Sequence, residues 1–459
     1  MSVDAIANLA GAAKDFDANL AILIARYGHD KYPTNKIAFT TLADLYLSSD
    51  DMAGYSETIE RHKAHCGEDD TYFHNLGVLS LHDGKLAEAI GYFEKAMEIQ
   101  PRIDSLGDLS LQSYILGRAE DTKKHCNEIL KTEFHSADYG DIAKYLLSCI
   151  EDTPEHQKAV QDAIAEKPFE FFYNIFRILS LRAHRAIEDF DDKAQFERMT
   201  RAANVPVSRP QTFIFPDDGD GEINLENGAW ISKPALGHGG QEVEIKGAPC
   251  NMNLSDGRLI QAYIDNPCLL FGKKFHVRVH FTIADFFQSE VFLHKDGIVR
   301  LAPNDFDHDF SNPRSHITNT SLHGVPETQD QTLFQNLDTR LVRTLREFLT
   351  YMEQQQGVSD IFDKIRTEVK HVVDVLRAEN GMFDRITADW KTIPPVYMGV
   401  DLVIDDQFKV WVLELQKRPA IGGQWPMMEF ILPFFRDMYH LIHNRPENGQ
   451  PDENIWVRV

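Results

Sequence analysis

Cysteine is scarce in this chain of 459 residues: Cys66, Cys126, Cys149, Cys250 and Cys268 are odd in number and scattered. They form no CxxC pair and no zinc-ligand spacing, which excludes a disulfide framework and fits unpaired thiols in a reducing compartment. Positive charge is also short. Against 71 Asp and Glu there are 47 Lys and Arg, a formal net charge of −24. Such a chain is not a general binder of nucleic acid or of anionic membrane, and an anionic substrate must be met by a local basic patch. There is no unbroken apolar run of roughly 18 residues, so no membrane span is expected. The opening from Met1 to Ile6 lacks the basic-then-apolar layout of a secretory signal. A cytoplasmic location is expected. Neither GxxxxGK[ST] nor GxGxxG occurs, which disfavours P-loop and Rossmann nucleotide sites. The scattered Cys, Ser and His residues suggest no nucleophilic triad.

What is present is a folded composition, 43% hydrophobic and 10% aromatic, in a chain long enough for about two to four domains. From the start to about residue 200 apolar residues recur at helical spacings of three and four, and strand-like runs are missing. The clearest unit spans 70–101, with Phe73, Leu76, Gly77, Gly84, Ala89, Phe93, Ala96 and Pro101. These positions resemble the tetratricopeptide (TPR) signature, a helical pair of about 34 residues. Gly77 and Ala89 let the paired helices approach, Phe73 and Phe93 fill the groove, and Pro101 stops the second helix. Ser80 takes the usual aromatic position. Leu42, Ala43 and Tyr46 before it, and Tyr114 and Gly117 after it, mark worn neighbouring copies, as expected where one repeat cannot bury its own face. An all-α TPR-like domain over 1–200 is expected. It fits either a concave surface for a peptide or protein partner or a helical cap supporting the C-terminal domain. The cluster Phe169, Phe171, Phe172, Tyr173 and Phe176 reads as core packing or a domain contact. Residues 201–227, broken by Pro, Gly and Asp, read as a linker.

After 228 the chain turns to short β runs and glycine turns. A strand at Trp230–Pro234 ends in Lys233, then come Gly237, Gly239 and Gly240 and a second strand at 242–246. Such a loop folds over a triphosphate through its amides, with the lysine as a point charge. Alone it is a weak signal, and an ordinary hairpin turn is the better reading. In the strand 272–281, Lys274, His276, Arg278 and His280 share one face, and Phe275, Val277, Val279 and Phe281 the other. A basic face backed by an apolar one suits a sheet covering a polyanion, or a solvated outer face. Two amphipathic helices are expected at 331–356 and 361–379, and a last one at 426–443. Between them, 396–416 reads as a β-hairpin turning at Asp405, Asp406 and Gln407. Alternation places Glu414 and Gln416 on one face with Val410 and Val412, and the turn brings Asp401 near Glu414. Two converging carboxylates suit a divalent cation that carries phosphates. The bland alternative is an exposed hairpin whose acids face water.

The order of these pieces resembles the tubulin tyrosine ligase family, within the ATP-grasp fold, over 228–422. Trp230–Pro234 resembles the strand with an ATP lysine, and Gly237 to Gly240 the glycine loop. Gln261, Tyr263 and Ile264 resemble the segment holding adenine. The run from Lys274 to Arg278 resembles a motif reading Lys, Phe, Asp and Arg, Arg300 a second arginine, and His316 to Asn319 a His-Leu-Thr-Asn motif. Asp401, Glu414 and Gln416 resemble the residues that bind magnesium. His276 stands where the family has Asp, Ala262 where a Lys often sits, and Gln416 where it has Asn. Lys417 and Arg418 replace a small pair.

The resemblance implies an α+β ATP-grasp domain over 228–459 and an ATP-dependent carboxylate–amine ligase working through an acyl phosphate. Arg278 and Arg300 are the expected catalytic residues. Lys233, Lys274, His276, Thr318 and Asn319 join the glycines and the adenine segment around ATP, and Mg²⁺ sits on Asp401, Glu414 and Gln416. The acceptor is a protein, peptide or small carboxylate, and the donor an amino acid or amine. The alternatives are an inactive nucleotide-binding scaffold with a TPR-like interaction domain, and a ligase for a small molecule or peptide.

Overall fold

The computed structural model describes residues 1–459 apart from 15–17, 50, 133–136, 180–191, 237–241, 319–340, 379–381, 384–388, 395, 418, 420–427 and 444–451. Two compact units result: Met1–Ala186 with Asp389–Thr392, and Ile187–Ala388 with Ile393–Val459.

The first unit is helical. Its elements are α1 (Val3–Lys14), α2 (Ala18–Lys31), α3 (Lys36–Ser48), α4 (Met52–Cys66), α5 (Asp70–His82), α6 (Leu86–Ile99), α7 (Ile103–Ile115), α8 (Ala119–Lys131), α9 (Ala137–Ile150), α10 (Pro154–Glu166) and α11 (Pro168–Tyr173). A short π-helical stretch, Asn174–Leu179, continues from α11. Asn35, Asp51, Asp69 and Thr153 cap α3, α4, α5 and α10, accepting from the orphan amides of the first turn. The TPR-like unit is the pair α5 and α6. Phe93, Ala89 and Ala96 are fully buried there. Phe73 is half-buried and stacks on Tyr92, the neighbour of Phe93 on α6. Phe171, Phe172 and Phe176 are buried, the last two stacked at 6.1 Å. Asp389–Thr392 joins this unit from far along the chain: the Lys391 and Thr392 amides both donate to the Ile115 carbonyl.

The second unit begins with α12 (Lys193–Ala203). It continues through β1 (Thr212–Ile214), β2 (Gly221–Leu225), β3 (Ala229–Pro234), β4 (Glu244–Gly247), β5 (Cys250–Leu254), β6 (Arg258–Tyr263), β7 (Leu269–Leu270), β8 (Lys273–Asp285) and β9 (Glu290–Leu301). Then come α13 (Pro313–His316), β10 (Val342–Thr344), α14 (Leu345–Gln356), α15 (Ile361–Arg377), β11 (Val396–Ile404), β12 (Val410–Gln416), α16 (Met428–His443) and β13 (Trp456–Arg458). The stretch expected as a linker therefore carries β1 and β2: its Pro and Gly residues mark strand ends, not a domain break. The helix expected from 331 starts at Leu345 among the described residues. Thr344 closes a capping box with Glu347 there, and β10 precedes it.

Among the described residues, three antiparallel sheets form. One has four strands in the order β1-β6-β3-β4, one pairs β2 with β5, and one has seven strands. The seven-stranded sheet runs β10-β9-β8-β11-β12, with β13 on β9 and β7 on β8. One of its faces makes the main core. Phe275, Val277, Val279, Phe281 and Ile283 of β8, with Val396, Met398, Val400 and Leu402 of β11, pack with residues of α14 and α15. The opposite face is polar where it meets the site.

A Cβ at Gly77 would lie 2.5 Å from the Phe93 ring. Gly77→Ala, a change that helix propensity alone would reward by about 1 kcal/mol, is expected instead to cost about 1–3 kcal/mol through overpacking. Denaturant unfolding measures it, and adding Phe93→Leu should recover most of the loss.

Candidate active site

Strand alternation puts Lys274, His276 and Arg278 of β8 on the polar face, and all three are buried. The next residue of that face, His280, packs against the rings of Phe430 and Phe434 on α16, each centred 5.1 Å away. The basic face is thus divided: one end is closed by aromatic packing, the other is the site. On β9, Arg300 pairs across from His276. Gly297 lets β9 pass close to β8, since a Cβ there would sit 2.5 Å from the Arg278 carbonyl oxygen.

On the other side of β8, Asp401 of β11 pairs with Arg278. The side chains meet in a bidentate fork: Nε donates to Oδ1 and Nη2 to Oδ2, both at 2.6 Å. Burial disfavours both charges, but each group holds the other ionised. Arg278 lies above the usual arginine range and Asp401 below the usual carboxylate range.

Asp401 in turn stands directly across from Glu414 of β12, and the two carboxyl groups interact. The register shifts immediately afterwards, with Leu402 opposite Val412, so Leu413 is the extra residue of a bulge. This corrects simple alternation. Val410, Val412 and Leu415 pack in the core, whereas Glu414 and Gln416 accompany Asp401 and Gly399 on the polar face. The Gln416 amide donates to Glu414 Oε1.

Lys233 projects from β3 of the four-stranded sheet. Its Nζ donates to Gln261 Oε1 at 3.1 Å, and the Gln261 amide donates to Thr212 Oγ1 at 2.9 Å. Gln261 is therefore spent on holding the lysine. Lys274 Nζ sits 3.7 Å from the centre of the Tyr263 ring, whose hydroxyl meets His316 Nδ1 at 3.0 Å. Ile264 comes directly after β6 and is half-buried. His276 is fixed through both ring nitrogens. Arg300 Nη1, a donor only, approaches Nε2 at 3.4 Å, so the Nδ1 proton goes to Thr318 Oγ1. Burial, then Arg300 and Arg278, holds His276 well below the usual histidine range and therefore neutral. Gly237, Gly239, Gly240 and Asn319 lie outside the described residues.

Burial lowers Lys233 to about 8 against the pull of Glu414, and lowers Lys274 to about 7 with help from Lys233. Arg300 falls to about 9 through burial and then Arg278. Two residues that the sequence did not mark complete the cluster. Lys193, first in α12, is 3.5 Å from Glu414 Oε2. Arg209 donates from Nε to Glu197 Oε2 at 2.8 Å. Neither carries a local signal, because each reaches the site only through the packing of α12, and of the segment that follows it, against β12.

The oxygen donors Asp401, Glu414 and Gln416 lie on adjacent strands of one face, and their chemistry fits Mg²⁺. Six cationic side chains, Lys193, Arg209, Lys233, Lys274, Arg278 and Arg300, gather near them. That set suits a polyanion arriving with a divalent cation.

The model of the tubulin-tyrosine ligase family matches residues 155–444. The chain belongs to this family. Among relatives of this ligase-family chain are tubulin glycylase 3C of Tetrahymena thermophila, 24% identical over 216 residues, or 44% of this chain and 19% of the relative. The probable tubulin polyglutamylase TTLL2 of Mus musculus is 25% identical over 228 residues, 46% of this chain and 40% of the relative. Tubulin monoglutamylase TTLL4 of Mus musculus is 24% identical over 274 residues, 54% of this chain and 22% of the relative. The chain thus covers less than half the length of each of these three relatives. Among the described residues, no helix is long and apolar enough to cross a membrane.

Arg278→Met strands the Asp401 charge and is expected to cost about 3–5 kcal/mol, whereas Arg278→Met with Asp401→Leu should cost far less. Urea unfolding of the full chain measures both.

Proposed function

We propose that this chain is an ATP-dependent ligase that joins an amino acid to a carboxylate of a protein or peptide. The observation that carries this reading is the pair Asp401 and Glu414, opposed in register beside Arg278 and Arg300. The relatives' names, tubulin polyglutamylase, monoglutamylase and glycylase, support a protein acceptor such as tubulin and glutamate or glycine as donor.

A carboxylate is a poor electrophile, and its conversion to a mixed anhydride with phosphate supplies a leaving group. One acceptor oxygen attacks the γ-phosphorus of ATP, the bond to the β-phosphate oxygen breaks, and ADP departs. The donor amine then attacks the acyl carbon, loses a proton, and inorganic phosphate leaves. Lys233 and Lys274 hold the phosphates as point charges. Arg278 and Arg300 orient the acceptor carboxylate and stabilise the charge developing on the transferring phosphoryl group and on the tetrahedral oxygen. His276, neutral and bound through both nitrogens, fixes Arg300 without cancelling its charge. Asp401, Glu414 and Gln416 would hold Mg²⁺, which offsets charge on the phosphate oxygens when bound. Catalysis by such a site is positioning and electrostatics, with no activated nucleophile from the chain.

A second reading, an inactive nucleotide-binding scaffold, draws on the same fork, because Arg278 already engages both oxygens of Asp401. The two readings differ in turnover. Incubation with ATP, Mg²⁺, pooled amino acids and tubulin or acidic peptides should release ADP and yield a mass increment on the acceptor. Asp401→Asn and Glu414→Gln should each lower ADP release by orders of magnitude. Bound ATP without ADP would support the scaffold, and unchanged release in both variants would discard the metal site.

Phosphate binding needs Lys233 and Lys274 charged. Their values of about 8 and about 7 mean that both are protonated in acid and lose their protons as pH rises through that window. MgATP affinity is therefore expected to fall above about pH 7, with net proton uptake on binding at about pH 8. Calorimetry in two buffers of different ionisation heat reads this, and a pH-independent affinity would contradict it.

A further inference from the structure

The five cysteines have no zinc-ligand spacing among themselves, but the fold brings ligands of other kinds to one of them. In the last turns of α4, His62 and Cys66 stand four residues apart and so share a helix face. Gly67 follows with φ of 79°, a value that favours glycine, and its amide closes the helix on the Lys63 carbonyl at 2.8 Å. Two residues later Asp69 caps α5. One ring nitrogen of His62, the Cys66 sulfur and one carboxylate oxygen of Asp69 all lie within 4.8 Å of one another.

These side chains are held in place. The His62 side chain is only 1% exposed, and its ring packs 4.5 Å from that of Phe39, centre to centre. Its Nε2 meets Asp69 Oδ1 at 3.0 Å, while Nδ1 is buried with no hydrogen-bond partner among the described residues. The polar engagement of the ring is therefore on the side of the cluster. Asp69 Oδ1 also accepts from the Tyr72 amide at 2.8 Å, which fixes the carboxylate at the start of α5. That cap needs one oxygen of the two. Asp69 and Cys66 are both partly exposed, which leaves an ion a way in. The cations nearby in the chain are bound to other acids: Lys36 to Asp70, Arg61 to Asp30 and Lys63 to Glu68. A capping hydrogen bond accounts for His62 and Asp69 without any ion. It does not account for a sulfur within the same small radius.

We propose that His62, Cys66 and Asp69 form a binding site for Zn²⁺. Imidazole nitrogen, thiolate and carboxylate are the ligand types that zinc accepts, whereas Mg²⁺ and Ca²⁺ take oxygen ligands. On binding, Cys66 releases its thiol proton to solvent and His62 keeps its proton on Nδ1, so that sulfur and Nε2 both present lone pairs. Water fills the fourth position on the exposed side. The ion pins the last turn of α4 to the first turn of α5, the helix that opens the TPR-like pair. None of the residues is shared with Asp401, Glu414 and Gln416, and the site does not depend on the ligase reading.

The test uses the full chain, untagged and stripped of metal by a chelator, with Co²⁺ as the probe. Co²⁺ held by a thiolate gives a near-ultraviolet charge-transfer band that oxygen donors such as Asp401 and Glu414 do not give. The unaltered chain should develop this band on addition of Co²⁺ and lose it when Zn²⁺, the tighter binder, is added. Cys66→Ser should abolish the band. His62→Gln and Asp69→Asn should each weaken the Co²⁺ midpoint by about 10–100-fold or more, since loss of a mere supporting partner already costs that much. Asn caps a helix as well as Asp does, so Asp69→Asn keeps α5 capped and carries the test if His62→Gln does not fold. No band in the unaltered chain, a band that survives Cys66→Ser, or an unchanged midpoint in either ligand variant would overturn the site. Each of these results leaves the ligase reading intact, because ADP release tests that reading separately.

Discussion

The fork between Arg278 and Asp401 is the interaction on which the second unit's polar face depends. It ties β8 to β11 at their paired positions and makes a buried carboxylate tolerable. A buried ion pair gains little net stability over apolar residues of the same shape, because both charges are desolvated. The neighbouring cations outnumber the acids, so the site suits an anionic ligand. Burial depresses Lys233 and Lys274 beside that face, so the charge on each is costly.

The seven-stranded sheet serves two tasks by separating its faces. One face, with Val277, Val279 and Val400, makes the core against α14 and α15. The other is sorted along its length. Near His280 and His294, the aromatic residues of α16 and Trp456 of β13 cover it. Near His276 and Arg300 it carries charge. The close passage of β9 at Gly297 brings Arg300 and Arg278 to neighbouring strands without a side chain between the backbones.

The helical unit is built by more local rules. Its caps at Asn35, Asp51 and Asp69 and its Gly77–Phe93 contact lie within one or two helices of each other in sequence. Its exception is Asp389–Thr392, which bonds to the end of α7 from a distant part of the chain. Nothing in the composition of that segment marks where it docks.

The sequence by itself determined the two kinds of unit, the alternation of β8, the hairpin of β11 and β12, and the meeting of Asp401 with Glu414. These arise from side-chain period and turn chemistry, which act between residues near in the chain. The tertiary structure decided the rest. It placed a bulge at Leu413, which no period reveals because it is the failure of a period. It spent Gln261 on Lys233, paired Arg278 with Asp401, and brought Lys193 beside Glu414. Those partners lie up to more than two hundred positions apart. Burial and charge pairing select them only once the sheets have formed, so their physical reason exists in space and not along the chain.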